Sequence, residues 1–338
     1  MAKLKVGTIG CGSIAQGLHL PGYLRNRHCE IVACTDPDTG RWEEVAERFG
    51  VKRFYRDYRA MLAKEDLDAV SICTPNYFHA EQALAAMKRG LHVICEKPMV
   101  LTRAQADAVV AAAARSRRVF MVGFTHRFLR GNKVAKDLIS SGQLGRPFMV
   151  RVRFAHGGPY PGWAKTDWFY DRKLAGGGAM LDMGIHAFDL VRYFLGDAKS
   201  VSAFVKTIFK PIPVDDNAVL ALEFQNGGLG YVEVGWTSLP GFNGVEIYCE
   251  KGNLIIDYAQ GMKLISGHAD PSGRHTVRTR KFRFRPTEGG GSAEMDYFVD
   301  CIRKRRKPEM GAAEGRAALD IALAAYESAK TGRRVSLR

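Results

Sequence analysis

The sequence predicts two domains: a doubly wound α/β domain over residues 1–124, then an α+β domain over residues 125–338 built on a large, mostly antiparallel open sheet. Three observations carry this reading. The chain has 338 residues, more than one hydrophobic core comfortably organises. Residues 3–124 alternate short apolar runs with longer amphipathic stretches. Beyond Phe124 the rhythm changes to alternating, turn-punctuated strands with helical stretches on either side.

The strand candidates of the first domain are Lys5–Ile9, Ile31–Thr35, Ala69–Cys73, His92–Cys95 and Val119–Phe124. They are rich in Val, Ile and Leu without polar alternation, as in strands covered on both faces of a parallel sheet. Helix-patterned segments separate them, which makes the succession βαβ. In the second domain the spacing predicts a helix over Asn132–Ser141 ending at Gly142, and a strand over Phe148–Ala155. A loop rich in Gly, Pro and aromatic residues follows over Gly157–Trp168, and a second helix begins near Gly178. From Ser200 to Phe284 the pattern is strand-like, with turn signals at Asn226-Gly227-Gly228, Phe242-Asn243-Gly244 and Lys251-Gly252-Asn253. A helix is expected from near Ser292. The Ala-rich stretch Glu314–Thr331, stopped by Gly332, forms the last one and is a candidate to pack back on the first domain.

Apolar residues make up 46% of the chain and charged residues 25%, the usage of a folded soluble protein. No run approaches the roughly 20 apolar residues that cross a bilayer, and Met1-Ala2-Lys3-Leu4-Lys5 leads directly into a strand, so no signal peptide and no membrane association are expected. The seven cysteines are scattered and form no CxxC pair, consistent with reduced thiols, a cytoplasmic location and no metal site. The net charge of +15 raises the question of nucleic acid. Between Pro271 and Arg338, however, sixteen Lys and Arg stand against eight Asp and Glu, so about half the excess is local and includes Arg303-Lys304-Arg305-Arg306-Lys307. That cluster would close a helix, where cations suit the negative end, and no recognition motif accompanies it. No nucleic-acid partner is expected.

The first strand runs into Gly10-Cys11-Gly12-Ser13-Ile14-Ala15, a G-x-G-x-x-A turn opening a helix. The first glycine permits the tight turn, the second lets backbone approach a pyrophosphate, and Ala15 allows close packing of helix on strand. This is a Rossmann-type dinucleotide site. Asp36, at the end of the second strand, would accept hydrogen bonds from the adenosine ribose and repel a 2′-phosphate, which favours NAD; Arg41 nearby keeps NADP open. Otherwise Asp36-Pro37-Asp38 only starts a turn. Thr74-Pro75-Asn76 ends the third of the predicted strands and is a candidate to line the cofactor channel, with His79 on the helix behind it.

Glu96-Lys97-Pro98 follows the strand His92–Cys95, at the carboxyl end where open α/β sheets bind ligands. An ammonium there can stabilise a developing alkoxide; the plain alternative is a surface lysine. Asp182 and His186 stand four apart in a helical pattern, hence on one face. Removing a hydride from a secondary alcohol requires that its O–H proton leave too, and a histidine suits that task. Asp182 would fix the imidazole tautomer or hold a substrate hydroxyl, while Asp189 reads as structural. The preceding Gly176-Gly177-Gly178 implies backbone passing close to a ligand, positive φ, or simply a helix entry.

Together these segments resemble the Gfo/Idh/MocA family of oxidoreductases, which includes inositol dehydrogenases and glucose–fructose oxidoreductase. The likeness runs through Gly10, Thr74-Pro75-Asn76 with His79, Glu96-Lys97-Pro98, Val122-Gly123-Phe124 to Arg127-Phe128, Gly176 to His186, and Ala325-Tyr326-Glu327-Ser328-Ala329. It implies that Lys97, Asp182 and His186 are catalytic, the histidine as general acid/base, and that the second domain assembles homodimers or homotetramers. It also implies substrate contact around Arg127, where Thr125-His126 departs from the Asn or Arg of many relatives. Tyr160, Trp163 and Trp168 are candidates to stack on a sugar ring, or else pin their loop.

The resulting expectation is a dehydrogenase that moves a hydride between NAD(P) and a ring carbon bearing a secondary hydroxyl of a cyclic polyol or sugar. Two other readings keep the fold: a non-catalytic NAD-binding regulator, and a glycosidase or internal-redox enzyme using a transient hydride abstraction.

Overall fold

The computed structural model describes residues 2–238, 242–269, 272, 275–285 and 288–337. They fall into two compact units. The first comprises Met1–Thr125, Pro159–Gly176 and Gly291–Leu319; the second comprises His126–Gly158, Gly177–Gly290 and Asp320–Arg338.

The first unit holds a parallel sheet of six strands: β1 (Leu4–Ile9), β2 (Cys29–Thr35), β3 (Phe54–Tyr55), β4 (Ala69–Ile72), β5 (His92–Cys95) and β6 (Phe120–Val122), in the order 3-2-1-4-5-6. This is the Rossmann arrangement, and its order reverses between β1 and β4, where the carboxyl ends open a crevice. The five apolar runs become β1, β2, β4, β5 and β6. The two-residue edge strand β3 is additional, too short to carry a periodicity.

The connecting helices are α1 (Leu20–Arg25), α2 (Gly40–Phe49), α3 (Tyr58–Lys64), α4 (His79–Lys88) and α5 (Arg103–Ser116). Immediately before α1, a π-helical turn over Ala15–His19 turns His19 fully inward. Thr102 and Gln105 form a capping box that starts α5, and Gly50, with φ of 69°, ends α2.

The second unit holds α6 (Arg130–Ser140) and β7 (Pro147–Ala155). After α7 (Arg172–Ala175), which belongs to the first unit, come α8 (Ala179–Asp182) and α9 (Gly184–Leu195). Strands β8 (Ala198–Lys206), β9 (Asn217–Phe224), β10 (Leu229–Gly235), β11 (Gly244–Cys249), β12 (Gly252–Asp257), β13 (Gly261–Ala269) and β14 (His275–Phe282) follow. Helices α10 (Gly290–Arg303) and α11 (Ala312–Thr331) and the short β15 (Val335–Ser336) complete the chain. The nine-stranded sheet has the order 14-13-12-11-7-10-9-8-15, antiparallel except where β7 meets β10.

One face of this second sheet packs on α9 through β7 and β10; Phe188, Leu190 and Val191 of the helix and Val150, Val152 and Val232 of the strands are all buried. The other face carries the alternate residues, including Phe204, Val219 and Tyr231, and is exposed. The basic run 303–307 begins at the last residue of α10, as its charge pattern implies.

All seven cysteines are buried free thiols. No helix among the described residues is long and apolar enough to cross a membrane.

Candidate active site

The glycine turn closes over the carboxyl ends of β1 and β4. Gly10 has φ of 91°, and a Cβ there would stand 2.8 Å from the Cys73 carbonyl oxygen, so only glycine fits. The helix then starts at residue 13, with its first bond from Gln16 N–H to the Gly12 carbonyl at 3.1 Å. The N–H groups ahead of that bond have no intrahelical acceptor and are available to an anion.

Asp36 is buried, and both carboxylate oxygens are engaged. Oδ2 accepts from Cys11 N–H at 2.8 Å and from Arg41 at 3.3 Å, while Oδ1 accepts from Asp38 N–H at 3.0 Å. Arg41 also pairs with Asp38 at 3.2 Å. The acidic end of β2 is thus partly neutralised.

A cavity of about 750 Å³ lies along this edge, formed entirely by residues of the first unit. Residues 9–14, Asp36, Arg41, Thr74, Pro75, Asn76, Glu96 and Lys97 line it. The segment 159–176 contributes Trp163, Lys165 and Trp168 to its wall, and Lys165 is tied to Glu44 of α2 at 3.0 Å. Asn76 Nδ2 donates to the Ala175 carbonyl at 2.8 Å, bracing the same segment. A helix start free for phosphate, a carboxylate at the second strand and a long, largely apolar trough fit a dinucleotide. Trp163 and Trp168, read from sequence as sugar-stacking candidates, therefore wall the dinucleotide trough. Tyr160 is outside the lining, 41% exposed, and its carbonyl accepts the Tyr170 hydroxyl.

His79 also stands outside the lining. It is fully buried, with Nδ1 2.8 Å from the Pro98 carbonyl and Nε2 2.8 Å from the Thr74 carbonyl, and so braces two strand ends. Glu96 is fixed by a buried series that sequence reasoning missed. Tyr23 Oη meets Ser71 Oγ at 2.7 Å, Ser71 meets His19 Nδ1 at 3.1 Å, and His19 Nε2 meets Glu96 Oε1 at 2.9 Å. Glu96 Oε2 accepts the Lys97 N–H at 3.2 Å. Burial pushes the Glu96 carboxyl up, but the His19 hydrogen bond and the Lys97 charge outweigh it, and the net shift is downward. The one available sequence signal was the histidine inside an apolar helix pattern.

In the second unit, Asp182 closes α8 and His186 lies in the first turn of α9, with Met183 at the junction; both side chains are buried. The glycines before them serve close approach within the protein. A Cβ on Gly177 would collide with the Tyr326 hydroxyl, and one on Gly178 with the Asp215 backbone. Asp215 accepts from Gly178 N–H at 3.0 Å, Met180 N–H at 2.7 Å and Tyr326 Oη–H at 2.7 Å, anchoring the start of α8. Nothing in the spacing singles out Asp215, because the segments it joins are far apart in sequence.

Arg127 donates to Asp189 through Nε at 2.7 Å and Nη2 at 2.6 Å, with both residues buried. This bidentate pair fits the structural part expected of Asp189 and fixes the Arg127 guanidinium. His126, the departure noted in the sequence, stacks on His186 with ring centroids 4.3 Å apart and an interplanar angle of 17°. Among the described residues no cluster of three or more His, Cys, Asp or Glu is placed to hold a metal ion.

Residues 4–124 match the family model described as the oxidoreductase family with NAD-binding Rossmann fold, and residues 133–255 match the GFO/IDH/MocA C-terminal domain. The chain is 29% identical to D-glucoside 3-dehydrogenase of Escherichia coli K12, covering 99% of this chain and 98% of the relative. It is 26% identical to myo-inositol 2-dehydrogenase of Thermotoga maritima at the same coverages, 99% and 98%. Among solved structures, levoglucosan dehydrogenase in complex with NADH and levoglucosan superposes with a TM-score of 0.86 at 26% identity, over 99% of both chains. An oxidoreductase domain protein from Kribbella flavida superposes with a TM-score of 0.90 at 26% identity over the whole of both chains. With its glycine turn, its parallel sheet and both family models matched in order, the chain belongs to the Gfo/Idh/MocA family of NAD-binding oxidoreductases.

Proposed function

We propose that this protein is a cytoplasmic dehydrogenase that oxidises a ring carbon bearing a secondary hydroxyl in a cyclic polyol or sugar, reversibly, with NAD as cofactor and NADP as an alternative. The observation that carries the reading is a built dinucleotide trough whose wall includes Lys97, in a chain that also keeps Asp182, at the end of α8, and His186, in the first turn of α9, both buried. Relatives named for glucosides, inositol and levoglucosan support the substrate class.

Bound NAD would supply the hydride acceptor. Gly10, Cys11, Gly12, Ser13 and Ile14 would hold its pyrophosphate, Asp36 its adenosine ribose, and Thr74, Pro75, Asn76 and Glu96 the remaining channel. The Lys97 ammonium would hydrogen-bond the reacting oxygen and stabilise negative charge on it. The His186 imidazole would take the hydroxyl proton, with Asp182 fixing its tautomer. Arg41, which already compensates Asp36, is the feature that would soften discrimination against a 2′-phosphate.

Residues 1–124 are assigned to cofactor binding, and residues 125–338 to substrate and to assembly of a homodimer or homotetramer through the exposed sheet face. The seven reduced, buried thiols support the cytoplasmic location.

The test is a panel of inositols, glucosides and anhydrosugars with each cofactor, followed by nicotinamide absorbance. Lys97→Ala and His186→Ala should each lower kcat by at least ~100-fold. A protein that binds NAD yet turns over no member of the panel in either direction, or variants as active as wild type, would overturn the assignment.

A further inference from the structure

We propose that His126 is a positioning residue: a neutral imidazole, locked in one tautomer, that holds the His186 ring in plane by stacking. The inference rests on the acid/base role assigned above to His186, but its geometry stands apart from that role.

The lock can be read from proton counting. Asn132 is fully buried and its Nδ2 donates to the His126 carbonyl at 2.7 Å and to Tyr258 Oη at 2.9 Å. The carbonyl can only accept, which fixes the amide orientation and makes Tyr258 oxygen an acceptor. Burial pushes the Tyr258 phenol well above its ordinary range, so it keeps its own proton. That proton is directed to His126 Nδ1, 3.3 Å away. In the proposed tautomer Nδ1 is the acceptor of this bond and the ring proton sits on Nε2.

Protonating Nδ1 would set an N–H against an O–H donor, so the network opposes a charged His126. Phe154 packs against the same ring edge to face, with centroids 4.7 Å apart and an angle of 66°. The titratable groups meeting His126 include His186 on α9 and Tyr258 after β12, while Arg127, next in the chain, is bound to Asp189. Two stacked imidazolium ions would repel each other; keeping His126 neutral leaves His186 as the member of the pair that takes up a proton.

The experiment has two arms. Long-range nitrogen-15 NMR of histidine-labelled protein should show His126 as the Nε2–H tautomer near neutral pH, and Tyr258→Phe should release it to a tautomer mixture. Kinetically, His126→Ala should lower kcat on the order of 10- to 100-fold with KM for NAD unchanged, whereas His126→Phe, which keeps a flat ring, should recover most of the loss.

A protonated or Nδ1–H His126 in the wild type overturns the proposal. So does His126→Ala with wild-type kcat, or His126→Phe as impaired as His126→Ala at equal Tm. If His126→Ala does not fold, the tautomer arm and His126→Phe decide. Wild-type kcat in His186→Ala would instead refute the acid/base assignment and leave the tautomer result to stand or fall alone.

Discussion

At Gly10 two constraints coincide, a positive φ and a carbonyl oxygen where a side chain would begin. Gly10→Ala should therefore cost about 1–3 kcal/mol in backbone strain alone and weaken NAD binding, read by thermal melting and calorimetry. The Arg127–Asp189 pair gives a contrasting case. Asp189→Ala would remove the bidentate carboxylate partner of a buried guanidinium and should destabilise by about 3–5 kcal/mol in urea unfolding, more than the double variant Arg127→Met/Asp189→Leu. Equal losses in the two would show the pair to be solvated. The glycine turn, whose conformation depends on local spacing, was legible in the sequence. His126 was legible only as an oddity, since its partners Asn132, Tyr258 and His186 are joined by tertiary structure. Of the readings open for glycines 176–178, positive φ holds at Gly176 and a helix entry at Gly178, which caps α8, while the close approach at Gly177 and Gly178 is to Tyr326 and Asp215.

Elements were read well wherever an apolar run was long enough to show its period. The five principal strands of the parallel sheet and helices α6 and α11 were legible for that reason, and β3 was not. The helix expected from Gly178 is interrupted at Met183, whose own backbone stays in the helical region, so the hydrophobic pattern runs on unbroken. That residues 159–176 fold onto the dinucleotide trough has no local signature, because a loop rich in Gly, Pro and aromatics names no docking place. Lys165→Ala removes a surface ion pair worth at most about 1 kcal/mol, so the dissociation constant for NAD should rise less than about fivefold. Trp163→Ala removes wall area as well and should raise it further; titration with NADH fluorescence separates the two. Thr102→Ala, which removes one arm of the capping box on α5, should cost about 1 kcal/mol without changing kcat.

For the molecule as a whole, the two sheet types followed from the change of rhythm at Phe124, and their contents from alternation. Acid should destabilise the protein in two stages. Burial pushes His92 from its ordinary value near 6.5 down to about 4, so its neutral form is favoured in the fold. That contribution is complete above about pH 6.5 and is lost as pH falls toward 4. Below that, Glu96 and Asp216 follow. Burial pushes both carboxyls up, and hydrogen bonds hold them below their ordinary range on balance, so their stabilisation disappears as they are protonated. Urea unfolding across this range should show both steps, and His92→Gln should flatten the first. On the exposed sheet face, Phe204 is 75% accessible, and Phe204→Glu should reduce the mass seen by light scattering if that face joins subunits. An unchanged mass would direct the search for the contact elsewhere.

The seven sequestered sulfur atoms have a practical corollary. Burial raises the Cys29 and Cys249 thiols to about 11 and pushes Cys73 and Cys95 well above their ordinary value, so alkylating reagents find scarcely any nucleophile on the native protein. One cysteine engineered onto an outer loop would then be the sole labelling handle, ready for a fluorophore or spin probe without stripping the natural ones.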